Sequence, residues 1–174
     1  SDVHKSTIKM ICFNGKWKDF LIWKAKFMAR SNQKKQQIII IGDEAIPAKT
    51  EYLTALAIDS ATRSATQKLC VKSYEASTSA YSDLLLSMDA STNAGKVAFT
   101  IVHLAVMAAN PEGDPKRAFD ALMKKYEPKT APRYVELEKK FANSKLSHDE
   151  EDPDEWIADL ESIKTMMNQV TIRG

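Results

Sequence analysis

The chain has 174 residues, a formal net charge of +2 and 28% charged residues, long enough to bury roughly 70% of the surface its unfolded form exposes and to fold without covalent staples. Five glycines and two widely separated cysteines argue against a turn-rich sheet protein and a disulfide framework, and no apolar run reaches the roughly 18 residues of a membrane span. The charge is uneven: Ser1 to Lys49 holds ten Lys/Arg against four Asp/Glu, whereas Ala131 to Gly174 holds six against ten.

Ser1 to Lys9 lacks the apolar core of a signal peptide, so a soluble, intracellular protein is expected. Cys12 and Cys70 are expected as reduced, largely buried small hydrophobes. From Lys16 to Arg30, Trp17, Phe20, Leu21, Trp23, Phe27 and Met28 recur at helical spacing among Lys18, Asp19, Lys24, Lys26 and Arg30, which predicts an amphipathic first helix. After the polar Ser31 to Gln37, the short β-branched run Ile38 to Ile41 reads as an extended connector ending at Gly42 and Pro47. Leu69, Cys70, Tyr74, Ser77, Tyr81, Leu84, Leu85 and Met88 put one apolar face on a helix between about Thr62 and Asp89. Gly95 to Ala109 is apolar on nearly every side, which predicts a helix enclosed by others.

Asp114 before Pro115 supplies an N-cap and a first-turn proline, so the next helix starts near Pro115 and ends near Tyr126. Glu127 to Pro132, with two prolines, reads as a stiff hinge between two lobes, residues 1–127 and 128–174. A helix from about Arg133 to Lys145 follows, then the acidic loop Ser147 to Asp152. Asp152 and Pro153 repeat the cap-plus-proline signal before a last helix carrying Trp156, Leu160, Ile163, Met167 and Val170. The fold class expected is therefore all-α, in two small helical lobes. Trp17, Trp23 and Trp156 all fall on helical stripes, where core packing is expected.

Little in the chain suggests chemistry. His4, His103 and His148 have no metal-ligand spacing. His103, among Val102, Leu104 and Ala105, reads as a core histidine satisfied by one hydrogen bond. Gly42, Gly95 and Gly113 build no phosphate loop. The acids Asp149 to Glu155 lack the alternating ligands of a calcium site and suit the positive end of the last helix instead. No catalytic residue, metal ligand or cofactor site is assigned. Lys16, Lys18, Lys24, Lys26, Arg30, Lys34 and Lys35 form a candidate nucleic-acid-facing surface, competing with the plainer reading of a solvated helix face.

Three blocks resemble the gag capsid protein of copia-type LTR retrotransposons. The first is Phe13, Asn14 and Gly15 leading into Phe20, Trp23, Lys26, Phe27 and Ala29, then Ile40, Ile41, Gly42, Ile46 and Pro47. The second is Ala118, Phe119, Asp120, Ala121, Leu122 and Tyr126, continuing through Leu137, Glu138 and Phe141 to Lys145 and Leu146. The third is Asp152 to Ile157, with Trp156, followed by Leu160. The resemblance implies a two-lobed, retroviral-capsid-like helical protein with Phe13, Gly15, Phe20, Trp23, Phe27, Ala118, Leu122, Tyr126, Leu137, Phe141, Leu146, Trp156 and Leu160 as core signature positions. It implies a non-enzymatic shell protein whose partner is itself, packaging the element's RNA in cytoplasmic virus-like particles. RNA contact would come from the basic face or from a downstream tail. Capsids of this kind usually continue into a Cys-Cys-His-Cys zinc knuckle and a segment completing the second lobe, neither of which this sequence contains, so a truncated second lobe is expected. The Ser/Thr/Ala-rich stretch from Thr50 to Thr66 is longer than the resemblance leads one to expect, leaving an excursion or an extra helix open there.

Two rival readings remain at this point. A domesticated capsid-like module would dock host peptides or RNA on the same fold. A small helical hydrolase built on His103 is disfavoured because no nucleophile accompanies that histidine.

Overall fold

The computed structural model describes residues 11–127, 131–146 and 153–173, and the chain is all-α. A 3-10 turn, Trp17–Asp19, leads into α1 (Phe20–Gln33), followed by α2 (Gln37–Ile40), α3 (Lys49–Leu56), α4 (Ala65–Leu86), α5 (Asn93–His103), α6 (Pro115–Tyr126), α7 (Ala131–Leu146) and α8 (Pro153–Arg173). Among the described residues there is no strand, only the isolated bridges Phe13–Met88 and Met107–Asn110. No helix among them is long and apolar enough to cross a membrane.

Local chemistry sets several boundaries. The Gln67 N–H donates to Ser64 Oγ at 3.2 Å and the Ser64 N–H to Gln67 Oε1 at 2.8 Å, a reciprocal cap that starts α4. Asp114 accepts from the Arg117 N–H at 3.0 Å, and Pro115, which has no amide proton to orphan, opens α6. The stretch Thr50 to Thr66 contains an additional helix, α3. Its C-terminal end is held by Arg63, whose Nε donates to the carbonyls of Ala55 and Ile58 at 3.0 Å and whose Nη2 donates to that of Leu56 at 3.1 Å. The Ala55 carbonyl also accepts from the Ile58 N–H at 3.3 Å, so Arg63 adds to the backbone cap at this helix end.

One buried cluster joins the leading segment, α1, α2, α4, α5 and α6, and its members include Phe13, Phe20, Trp23, Phe27, Tyr81, Leu84, Phe119, Leu122 and Tyr126. Phe13 is fixed twice. Its N–H donates to the Ser87 carbonyl (2.7 Å) and its carbonyl accepts from the Asp89 N–H (2.9 Å), while its ring lies 4.9 Å from Tyr126 and 5.3 Å from Trp23. Gly15 holds φ +79°, and a Cβ there would sit 2.0 Å from the Ala94 carbonyl oxygen, so only glycine lets the leading segment cross the start of α5. A smaller cluster, Ile163 and Met166 with Phe141 and Met167, packs α8 and α7 onto Trp17 and Leu21. Ser162 Oγ adds a hydrogen bond to the Lys18 carbonyl at 3.2 Å.

Several sequence expectations are corrected. Ile38 to Ile41 is not extended: α2 is one helical turn, because burying Ile39 and Ile40 together needs adjacent side chains on neighbouring helical positions rather than on opposite faces of a strand. Gly95 to Ala109 is not an enclosed helix. α5 stops at His103, where the Tyr81 hydroxyl donates to the carbonyls of Val102 (2.9 Å) and His103 (3.3 Å), and only Gly95, Ala98 and Val102 are buried on it. His103 is exposed and stacks on Phe99 at 5.8 Å, so it is no core histidine. Leu69 is exposed, Cys12 is exposed and Cys70 is half-buried rather than enclosed. Trp17 is half-buried between the two clusters. Pro132 belongs to the first turn of α7, where a missing amide proton costs nothing, rather than to a hinge. Residues 128–130, the middle of that expected hinge, and the loop Ser147 to Asp152 lie outside the described residues.

Phe20→Ala is expected to cost about 3–5 kcal/mol by emptying the centre of the main cluster. Gly15→Ala should cost at least about 1–2 kcal/mol from its left-handed backbone alone. Urea denaturation reads both, and an unchanged midpoint in either variant would contradict the packing described.

Candidate functional site

The candidate cationic surface does not form one face. Lys24 and Lys26 are two positions apart on α1, about 200° around the axis. Lys24 reaches Glu127 at 3.3 Å, whose side chain is 1% exposed, and so ties α1 to the end of α6. Lys34 pairs with Asp83 of α4. The Arg30 guanidinium is turned inward, with Nε and Nη1 buried and without hydrogen-bond partners. Lys26 and Lys35 are exposed, the latter at a left-handed turn (φ 57°).

Lys16 and Lys18 are instead brought beside Lys140 of α7, whose Nζ lies 4.5 Å from the Trp17 ring centroid. Burial, and then repulsion from Lys18, holds Lys140 below the usual lysine range. No local sequence pattern could have joined Lys140 to this group, because more than a hundred residues separate it from Trp17.

The signature positions fall mostly in the interior. Phe13, Phe20, Trp23, Phe27, Ala118, Leu122 and Tyr126 share the main cluster. Gly15 makes the close crossing at α5. Phe141 packs in the smaller cluster, and Leu160 is half-buried. The side chains of Leu137, Leu146 and Trp156 lie outside the described set.

A polar cluster that the sequence did not single out lies between α3, α4 and the turn before α6. Tyr52 and Tyr74 stack at 4.2 Å and 15°. The Tyr74 hydroxyl donates to Glu112 Oε2 at 2.6 Å, Lys49 pairs with the same carboxylate, and the Tyr52 hydroxyl donates to Glu75 at 3.3 Å. Together with Thr78, they border a groove of about 360 Å³. Burial, then the hydrogen bond from Tyr74 to Glu112, pushes the Tyr74 phenol up to about 12. Hydrogen bonds from Lys49 and Tyr74 hold the Glu112 carboxyl below its ordinary value. The groups are mutually satisfied, so the cluster reads as a clasp from α3 to α4 and α6. Among the described residues no group of three or more His, Cys, Asp or Glu side chains is placed to hold a metal ion.

Exposed apolar side chains occur on α5 and just beyond it (Val97, Leu104, Val106 and Met107) and also on α1, α3, α4 and α8 (Ile22, Leu53, Leu56, Leu69, Leu86 and Ile157). A groove of about 570 Å³, with Lys26 and Glu161 among its lining residues, runs between α1 and α8. Large apolar side chains left in water next to one another mark contact surfaces more often than chemistry.

Comparison of the chain with protein-family models, with curated proteins and with solved structures finds no match in any of the three.

The clasp should shape stability at both ends of the pH scale. Because folding lowers the Glu112 pKa, its contribution is whole above the unfolded value of 4.5 and is lost as pH falls through the folded one. Because folding raises that of Tyr74, its contribution is whole below 10.0 and is lost as pH rises through about 12. Glu112→Gln should therefore flatten the acid limb of the stability profile and Tyr74→Phe the alkaline limb. Thermal unfolding across pH tests this, and limbs as steep as wild type would contradict it.

Proposed function

We propose that this chain is a structural capsid (gag) protein of an LTR retrotransposon, which self-associates into a shell around the element's RNA. The observation that carries the reading is the order and spacing of the three blocks. Members of the first two blocks at positions 13–27 and 118–126 share one buried cluster, while Phe141 packs in the smaller one and Ile157 of the third block is exposed. A family signature written as spaced hydrophobics has to specify a fold in this way.

The mechanism requires no reaction. A shell repeats one modest interface many times, and repetition makes a contact effective that a single pair barely sustains. Exposed apolar area on α5, together with a basic first quarter and an acidic last quarter, supplies such a contact with both an apolar driving force and charge selectivity. In this reading the protein works in the cytoplasm, within virus-like particles.

A second reading, an interaction module for host RNA or peptide, is favoured by one observation: the gathering of Lys16, Lys18 and Lys140 around Trp17. The carboxylates of Glu136 and Asp19 also act on Lys140, so a polyanion would compete with them for it.

Sedimentation velocity over a concentration series at low salt, with electron microscopy of the same samples, separates the two. The capsid reading expects a sedimentation coefficient that climbs with concentration and regular particles at the upper end. A monomer that persists to millimolar protein, combined with RNA binding that collapses as salt rises, would overturn it in favour of the module.

A further inference from the structure

Among the described residues the main cluster draws no member from α7 or α8. The two helices reach the rest of the molecule through the smaller cluster, in which Ile163 and Met166 are fully buried and Trp17 and Leu21 come from the other side. Ser162 Oγ adds its hydrogen bond to the Lys18 carbonyl. Beyond Leu21 the helices part: Ile22 and Ala25 of α1 stand across a groove from Ala158 and Glu161 of α8. The joint is therefore narrow, and with so few buried apolar contacts a small free-energy change decides whether it holds.

Lys140 sits in this joint, half-buried, with its Nζ 4.5 Å from the Trp17 ring centroid. The ring face attracts the ammonium, as do Glu136 on α7 and Asp19 on the 3-10 turn. Asp19 is shared, because its Oδ2 also accepts from Asn14 Nδ2 at 2.7 Å. Against these stand the loss of water around the ammonium and repulsion from Lys18 and Lys16. The opposing side prevails, with burial the largest part of it, so Lys140 holds its proton less tightly here than an ordinary lysine does. No charged side chain of α8 acts on it among the described residues.

We propose that Lys140 is a charge-controlled latch: with its ammonium intact the α7–α8 pair sits weakly on Trp17 and Leu21, and neutralising that charge closes the pair onto them. Docking and proton binding oppose one another. The penalty is whole below the lowered value of the docked form and disappears as pH rises through it toward 10.5. Removing the charge while keeping the stem does the same at neutral pH, because the methylenes, not the ammonium, supply the apolar contact with the ring.

Fluorine NMR of fluorotryptophan-labelled protein over a urea series tests this, since Trp17 borders both clusters and Trp23 lies inside the main one. The Trp17 resonance should leave its native position at lower urea than that of Trp23. Lys140→Met should move the Trp17 midpoint up toward the Trp23 midpoint. Lys140→Arg, which stays charged at every accessible pH, should not. In wild type, raising the pH from about 7 to about 9.5, short of where an ordinary lysine titrates, should narrow the gap between the two midpoints. Both variants should lack that response.

Loss of both resonances at one urea concentration would show that the pair has no joint of its own and would overturn the proposal. So would a folded methionine variant whose Trp17 midpoint is unchanged or lower, or a wild-type gap that does not narrow as pH rises. If the methionine variant does not fold, the wild-type pH series decides.

Discussion

Phe13 is the residue on which the rest of the arrangement depends. Its backbone completes a short bridge to the end of α4, and its ring touches Phe20, Trp23 and Tyr126. A leading segment with no regular structure is thereby fixed on both counts, by hydrogen bonds that orient it and by dispersion contacts that bury it. α1 follows with Trp23 stacked on Phe27 at 5.1 Å, and Phe27 passes the contact on to Phe119 of α6. The rings join α1 to α6, Leu84 brings α4 into the same cluster, and the pairs Lys24–Glu127 and Lys34–Asp83 add further ties.

The second consequence runs through Trp17 and Leu21, which border both the main cluster and the smaller one under α8. α7 and α8 therefore pack on the same turn that delivers α1 to the core. That packing collects Lys140 with Lys16 and Lys18, and it opens the groove beside Ile22 and Glu161. Both candidate surfaces arise from where one pair of helices docks, not from any motif within them.

α6 was legible in the sequence, since Asp114 and Pro115 mark its start and Ala118, Phe119, Leu122 and Tyr126 mark its buried face. α4 was legible as a long helix, although its Ser64 and Gln67 cap went unused. Reading burial from hydrophobicity failed on α5, because the fully buried positions are Gly95, Ala98 and Val102 while Phe99 and Ile101 are only half-buried and Val97 is exposed. Small residues that permit close approach look weak in a hydrophobic pattern, yet they mark the packed side. The β-branched run at Ile38 to Ile41 misled in a similar way, since tertiary burial outweighed local propensity over a single turn. Lys140 and the Tyr52, Tyr74 and Glu112 clasp were beyond reach because their members come together only after the chain has folded.

The account stands on the aromatic cluster making one cooperative unit of α1, α4 and α6. Native-state hydrogen exchange measures this directly. Slowly exchanging amides in the three helices should share one opening free energy, equal to that of global unfolding. Amides of α1 that exchange through a cheaper opening, while α4 and α6 stay protected, would contradict it.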